Sequence, residues 1–123
     1  MKQFNRQQGN QGEKIAAKYL AGKGFKIIET NFYTKWGEID IIAFKDQRLH
    51  FIEVKTRTSL RFGRPEAAVT RNKYQKAKRA VIIYLRQNPQ FRNTIFQIDV
   101  IAIMHDQSGH QAKIRYFPNI LLK

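Results

Sequence analysis

Apolar residues in the first half of the chain follow one helical pattern and three strand-like patterns. Residues 12–20 carry apolar side chains at helical spacing and predict a helix, which the glycines that follow would end. Strand patterns appear over residues 25–33, 37–44 and 49–57. The polar break over residues 45–48 has the length of a hairpin turn, so we predict that the last two of these strands pair antiparallel.

The second half of the chain predicts one more helix and two more strands. After a connecting loop, a helix begins near Thr70, a favourable N-cap residue, and ends at Asn88 before a proline. An apolar strand over residues 96–104 is interrupted by Asp99, and an edge-type strand follows over residues 112–117. The order αβββαββ predicts an α/β fold with a mixed central sheet of about five strands flanked by helices.

The length and composition indicate a single domain. A chain of 123 residues with 42% apolar residues can build one core and has no room for a second domain. Residues 1–8 are polar and predict a flexible N-terminal tail, which leaves residues 9–123 as the domain. The tail lacks the apolar stretch of a signal peptide, and no later segment could span a membrane, so we expect a cytoplasmic protein.

The predicted hairpin brings acidic residues to one face of the sheet. Because side chains in a strand alternate between faces, we predict that Asp40 lies opposite Glu53 and Glu38 opposite Lys55. Opposed side chains have Cβ atoms about 4.5–5.5 Å apart, and like charges there destabilise a sheet. A bound Mg²⁺ or Mn²⁺ would offset the repulsion, because these ions take oxygen ligands. The alternative is that neighbouring Lys and Arg side chains neutralise both acids without a metal.

The charge balance indicates a polyanionic partner. The chain has 23 Lys and Arg against nine Asp and Glu, a formal net charge of +14. Nucleic acid is the expected partner, because its phosphates release counterions when basic side chains bind. A basic surface with no such partner is the next alternative, and a membrane surface ranks below it. The absence of Cys excludes disulfides and thiolate zinc sites, and the three histidines, at no metal spacing, are interpreted as surface or sheet residues.

A basic run follows the acidic hairpin directly in the sequence. It supplies the candidate nucleic-acid-binding residues Arg57, Arg61, Arg64, Arg71, Lys73 and Lys76. Phosphate contacts of this kind position a protein without reading sequence. Since no recognition helix, zinc finger or stacking motif is evident, we expect recognition of nucleic-acid structure, such as a junction, flap or nick. The alternative for each residue is a solvated helix or loop position.

The acidic hairpin has a recognisable signature. Residues 37–40 read Gly-Glu-Ile-Asp and residues 51–57 read Phe-Ile-Glu-Val-Lys-Thr-Arg, which resembles the PD-(D/E)xK nuclease motif. The chain resembles more closely the bacterial YraN-type family, which is related to archaeal Holliday junction resolvases and restriction endonucleases. The similarity covers nearly the whole chain and includes Gly12-Glu13, Ala16-Ala17, Tyr19-Leu20, Gly24-Phe25, Asn31, Lys73 and residues 96–100.

The resemblance implies a restriction endonuclease-like fold and a Mg²⁺- or Mn²⁺-dependent endonuclease. It implies that Asp40 and Glu53 are metal ligands and that the backbone carbonyl of Val54 joins them. It assigns Lys55 as the catalytic lysine, and Glu13, on the first helix, as an additional acidic residue at the metal.

Two features stay open in the resemblance. Glu38 is a weaker candidate ligand, since it can instead pair with Lys55 or an Arg, and Ile39 stands where many related nucleases have proline.

Resolvases act as symmetric dimers, so the resemblance admits a homodimer acting on nucleic acid, with DNA favoured. Two alternatives to an endonuclease remain: a non-catalytic nucleic-acid-binding protein on a nuclease-derived fold, and, ranked last, an assembly factor that meets an acidic protein.

Overall fold

A computed structural model of the chain describes residues 2–57, 71–105 and 112–120, with only the backbone for residues 2–10. The order of elements confirms the predicted αβββαββ arrangement. The elements are α1 (Lys2–Gly22), β1 (Lys26–Thr34), β2 (Gly37–Lys45), β3 (Arg48–Arg57), α2 (Arg71–Gln87), a short 3-10 helix (Pro89–Phe91), β4 (Ile95–His105) and β5 (Ala112–Phe117).

The first helix is longer than the sequence pattern predicted. Helix α1 extends back to Lys2, through residues for which the polar composition predicted an irregular tail. Lys, Gln and Arg are good helix formers, so helical backbone can continue there without an apolar stripe. The predicted cap of α2 at Thr70, and the loop before it, lie outside the described residues. Neither α1 nor α2, the two long helices in the described part of the chain, has the length and apolar character needed to cross a membrane.

The five strands form one mixed sheet in the order β1-β2-β3-β4-β5. Strands β3 and β4 pair in parallel, and the other neighbouring pairs are antiparallel. The chain between β3 and β4 contains α2, because parallel neighbours need a crossover connection. Strand β4 is buried along most of its length, in keeping with its nearly continuous apolar sequence, whereas the second half of β3 carries charged residues.

Each face of the sheet buries its own apolar cluster. On one face, α2 contributes Ala80, Val81 and Tyr84, which pack against Ile42 and Phe51. On the other face, α1 contributes Ala16 and Leu20, which pack against a set of sheet residues that includes Ile41, Ala43, Ile52, Ile101 and Ile103. Full burial of each large apolar side chain stabilises the fold by about 1.5–3 kcal/mol. The two helices are thus held at fixed positions on opposite faces.

Candidate acidic site

The pairing of β2 with β3 stops just before the acidic residues. The hairpin register runs from Lys45–Arg48 to Ile41–Ile52, as predicted. The predicted direct opposition of Asp40 to Glu53 is not part of this ladder. Instead, the carboxylate of Asp40 accepts a hydrogen bond from the backbone N–H of Val54, at 2.8 Å. A side chain therefore takes the place of a backbone acceptor at the end of the hairpin.

Strict alternation of side chains also fails in this part of β2. Ile39 and Ile42 both pack in the cluster on the α2 face, whereas Ile41 packs in the cluster on the α1 face. Regular alternation would place Ile39 and Ile41 on the same face. The prediction placed Glu38 and Asp40 on the face of Glu53 by counting alternate residues along β2. This irregularity removes the basis of that count.

Three carboxylates converge where the two strands separate. One oxygen each of Glu13, Glu38 and Asp40 lies within 4.8 Å of the others. Glu13 comes from α1 and is buried, Asp40 is partly buried and Glu38 is exposed. The preceding Gly12 allows this approach, since a Cβ atom there would lie 2.7 Å from Oγ1 of Thr56. The cluster, which we call the acidic triad, includes the Glu38 that the sequence had ranked as the weaker candidate.

The pKa of Asp40 is raised from 3.8 to about 8. Burial is the main cause, because it disfavours the charged form. The hydrogen bond from Val54 opposes the shift, and the charges of Glu13, Glu38 and Glu53 add to it. Without a cation, Asp40 therefore keeps its proton at pH values at which an ordinary surface carboxylate has released it.

The buried carboxylate of Glu13 is only partly satisfied by hydrogen bonds among the described residues. Burial and the charge of Glu38 raise its pKa, while hydrogen bonds with the side chains of Asn31 and Asp40 act in the opposite direction. Its Oε2 atom is buried and has no hydrogen-bond partner among the residues that the structure describes. An unpaired buried oxygen costs about 1–3 kcal/mol. A divalent cation that prefers oxygen ligands fits this donor set.

Glu53 and Lys55 form a pair beside the triad. The Nζ atom of Lys55 lies 2.7 Å from Oε1 of Glu53, and both side chains are at least partly buried. Glu53 is outside the triad, although its charge reaches Asp40. Its role as a metal ligand and that of the Val54 carbonyl stay predictions, since the Val54 contact described above uses the N–H group.

The described basic candidates lie on β3 and α2. Arg57 ends β3, and its guanidinium donates to the carbonyl of Thr56 at 3.0 Å. Arg71, Lys73 and Lys76 lie in the first two turns of α2 and are exposed. Arg61 and Arg64 lie outside the described residues. The α2 residues are therefore accessible to a phosphate backbone.

Sequence reasoning missed a buried polar network centred on Asp99. Its carboxylate, which is 0% exposed, contacts Nδ1 of His50 at 2.7 Å and accepts from the Tyr116 hydroxyl at 2.6 Å. The Gln97 side chain and the backbone N–H of Asn119 also donate to it, each at 2.8 Å. His50 is a sheet residue as predicted, but it is buried rather than on the surface. The signal in the sequence was the acid that interrupts an apolar strand.

The raised pKa of Asp40 predicts how stability changes with pH when no divalent metal is bound. The unfolded chain releases this proton near pH 3.8 and the folded chain near pH 8, so the free energy of unfolding should fall as pH rises between those values. Asp40→Asn removes the penalty and keeps the acceptor for Val54. In urea unfolding with EDTA, we expect the variant to gain on the order of 2 kcal/mol over wild type at pH 8 and nothing below pH 4. The same gain at both pH values would contradict this account.

Comparison with known proteins identifies the family of the chain. Residues 12–103 match the model of the uncharacterised protein family UPF0102. A UPF0102 protein of Syntrophomonas wolfei is 45% identical over 116 residues, which cover 94% of this chain and 98% of the relative. A UPF0102 protein of Chlorobium limicola is 46% identical over 109 residues, covering 89% of this chain and 83% of the relative. The YraN-type resemblance is thereby confirmed, and the chain belongs to the protein family UPF0102.

Proposed function

We propose that this protein is a metal-dependent endonuclease that hydrolyses phosphodiester bonds in structured or branched nucleic acid, with DNA as the substrate. The observation that supports it is the acidic triad, in which the buried Oε2 of Glu13 lacks a partner among the described residues. A chain with a net charge of +14 and only nine acids nevertheless gathers three of them within 4.8 Å. A bound cation offsets that repulsion.

The donor set supports Mg²⁺ or Mn²⁺ as the cofactor. Glu13, Glu38 and Asp40 offer only carboxylate oxygens, which these ions prefer to nitrogen or sulfur. When bound, such an ion supplies polarisation of the phosphoryl group and a lowered pKa of its water.

The protein's own groups have separate tasks in this proposal. The N–H of Val54 holds the Asp40 carboxylate in one orientation, which keeps a ligand oxygen in place. The Glu53 carboxylate holds the ammonium of Lys55, which stabilises negative charge that develops on the phosphate. Arg71, Lys73 and Lys76 on α2 contact the nucleic-acid backbone, where their charges add affinity without base specificity.

The proposal keeps two expectations that come from the sequence. A homodimer would allow paired cuts in a four-way junction, as in the resolvases that the chain resembles. A cytoplasmic location would give such an enzyme access to chromosomal DNA.

A non-catalytic nucleic-acid-binding protein is the second candidate. The pair between Glu53 and Lys55 favours it, because each residue neutralises the other without a metal. This candidate predicts steeply salt-dependent binding that persists in EDTA and survives loss of the triad carboxylates.

The test measures metal binding and cleavage separately. Mn²⁺ at 100 times its dissociation constant should raise the free energy of unfolding by about 2.7 kcal/mol at pH 8. The gain should disappear in Glu13→Gln and should be smaller at pH 5, where Asp40 is protonated. With Mg²⁺ or Mn²⁺, the protein should cleave branched DNA faster than linear duplex, and EDTA should stop the reaction. Tight DNA binding with neither metal stabilisation nor cleavage would support the second candidate and overturn the first.

A further inference from the structure

A groove on the α2 face of the sheet meets the acidic triad at Glu38. Its volume is about 320 Å³, which lies in the range of small-molecule sites. The turn between β1 and β2 forms one wall, α2 forms the other and apolar sheet residues form the floor. Glu38, a member of the triad, and Glu53, the partner of Lys55, both line it. A group held in the groove therefore lies beside Glu38 and Glu53, whereas Glu13 and Asp40 do not line it.

Trp36 gives the groove an aromatic wall. It is half-buried, and the turn that carries it is fixed because Oγ1 of Thr34 accepts from the N–H of Trp36 at 3.0 Å and donates to the carbonyl of Gly37 at 2.9 Å. The guanidinium carbon of Arg79 lies 4.3 Å from the centre of the indole ring. Nucleobases stack on both aromatic rings and guanidinium planes. Arg79 does not line the groove, so the indole ring of Trp36 is the stacking surface that the groove lining offers.

The α2 wall of the groove carries lysine side chains that can contact a phosphate. Lys73 and Lys76 from α2 line the groove together with Ala77 and Ala80. Stacking surfaces beside a basic track are the usual means by which proteins hold unpaired nucleic-acid strands.

We propose that this groove, which we call the Trp36 groove, binds an unpaired nucleotide, whose base stacks on Trp36 while its phosphate contacts Lys76. The inference rests on the proposed function in that it defines the substrate class of the same site as DNA with an unpaired strand beside the scissile bond. Continuous duplex cannot fill the groove, because its bases are stacked on one another.

The experiment uses the single tryptophan of the chain as its own reporter. Wild-type protein in EDTA is titrated with oligo(dT) of about 12 nucleotides, a length within the site sizes of such grooves. Duplex DNA of the same length is the comparison probe. We expect oligo(dT) to quench the tryptophan fluorescence, and the duplex to quench it less.

Affinities of the variants are measured by anisotropy of labelled oligo(dT), also in EDTA. Trp36→Ala should weaken binding about tenfold, because stacking of each base contributes that much. Tyr33→Ala is the control, since Tyr33 is an exposed aromatic residue of the same hairpin outside the groove lining. Lys76→Gln should weaken binding more than Lys78→Gln, which removes the same charge from an exposed position of α2 outside the lining.

Each arm has an outcome that overturns the inference. Equal quenching by duplex and oligo(dT) would exclude an unpaired strand, and equal losses of affinity in Lys76→Gln and Lys78→Gln would exclude the phosphate contact. Unchanged affinity in Trp36→Ala would exclude stacking in the groove. These binding results do not depend on metal or cleavage, so failure of the Trp36 groove and failure of the endonuclease proposal can be told apart.

Discussion

Asp40→Asn is expected to reduce the rate of DNA cleavage on the order of 10³-fold while the protein stays folded. Asparagine keeps the shape of the residue and an oxygen that accepts from the N–H of Val54. It removes the charge at the centre of the acidic triad, where Glu13 and Glu38 also meet. Single-turnover cleavage of a branched DNA substrate with saturating Mn²⁺ measures the effect.

Asp46→Asn is the matched control for this variant. Asp46 is exposed and lies in the turn between β2 and β3, at the opposite end of β2 from the triad. The substitution therefore makes the same chemical change away from the triad. Asparagine tolerates the positive φ of 52° at this position. The control should keep wild-type activity, and full activity in an Asp40→Asn/Glu53→Gln double variant would exclude a hydrolytic role for the hairpin acids.

Two further variants distinguish the triad from the ligand pair that the motif predicts. If the triad binds the cation, Glu38→Gln should weaken Mn²⁺ binding more than Glu53→Gln does, because Glu38 lies within the triad. If Asp40 and Glu53 are the ligands, the order should reverse. Calorimetric titration with Mn²⁺ at pH 8 measures both affinities.

Asp99→Asn is expected to lower the free energy of unfolding by about 3–5 kcal/mol. The carboxylate of Asp99 is fully buried and is surrounded by donors from Gln97, Tyr116 and Asn119, with the His50 ring at 2.7 Å. An amide would turn one accepting oxygen into a donor, so that donor faces donor inside the core. Urea unfolding at pH 7, followed by far-UV circular dichroism, gives the difference.

Asp46→Asn again serves as the control, since a surface substitution should change stability by less than about 0.5 kcal/mol. A loss below about 1 kcal/mol for Asp99→Asn would contradict a structural role of the network.

The contribution of Asp99 to stability should depend on pH with the opposite sign to that of Asp40. Burial would raise the pKa of Asp99, but its hydrogen bonds hold it below its ordinary value of 3.8. This stabilisation is therefore present above that pH and is lost as the pH falls.

The strands could be predicted closely because their signals are local. Apolar and β-branched residues alternate or cluster within a few residues, and polar turns separate them. The predicted bounds of β2, for example, differ by one residue at one end from Gly37–Lys45, and those of β5 agree with Ala112–Phe117. The beginning of α1 was missed for the same reason, since its polar residues carry no apolar period to detect.

The candidate site could be predicted only in part. Asp40, Glu53 and Lys55 were chosen from the hairpin and the motif, and Glu13 from the family resemblance; the structure brings Glu13 to Asp40 and Lys55 to Glu53. The grouping of Glu38 with the triad was not anticipated. The prediction assumed strict alternation along β2, and the positions of Ile39 and Ile41 break that rule. The side chain of Trp36 and the network of Asp99 likewise acquire partners from distant segments.

Local chemistry thus decided which elements form, which residues carry charge and which acids are available. These follow from apolar periodicity and composition, which are properties of short segments. The meeting of three carboxylates required α1 to approach β3 at Gly12, and it required β2 to leave the ladder after Ile41. Only packing across the sheet sets those distances, because residues separated by 25 positions or more in the chain are brought together by the burial of apolar faces.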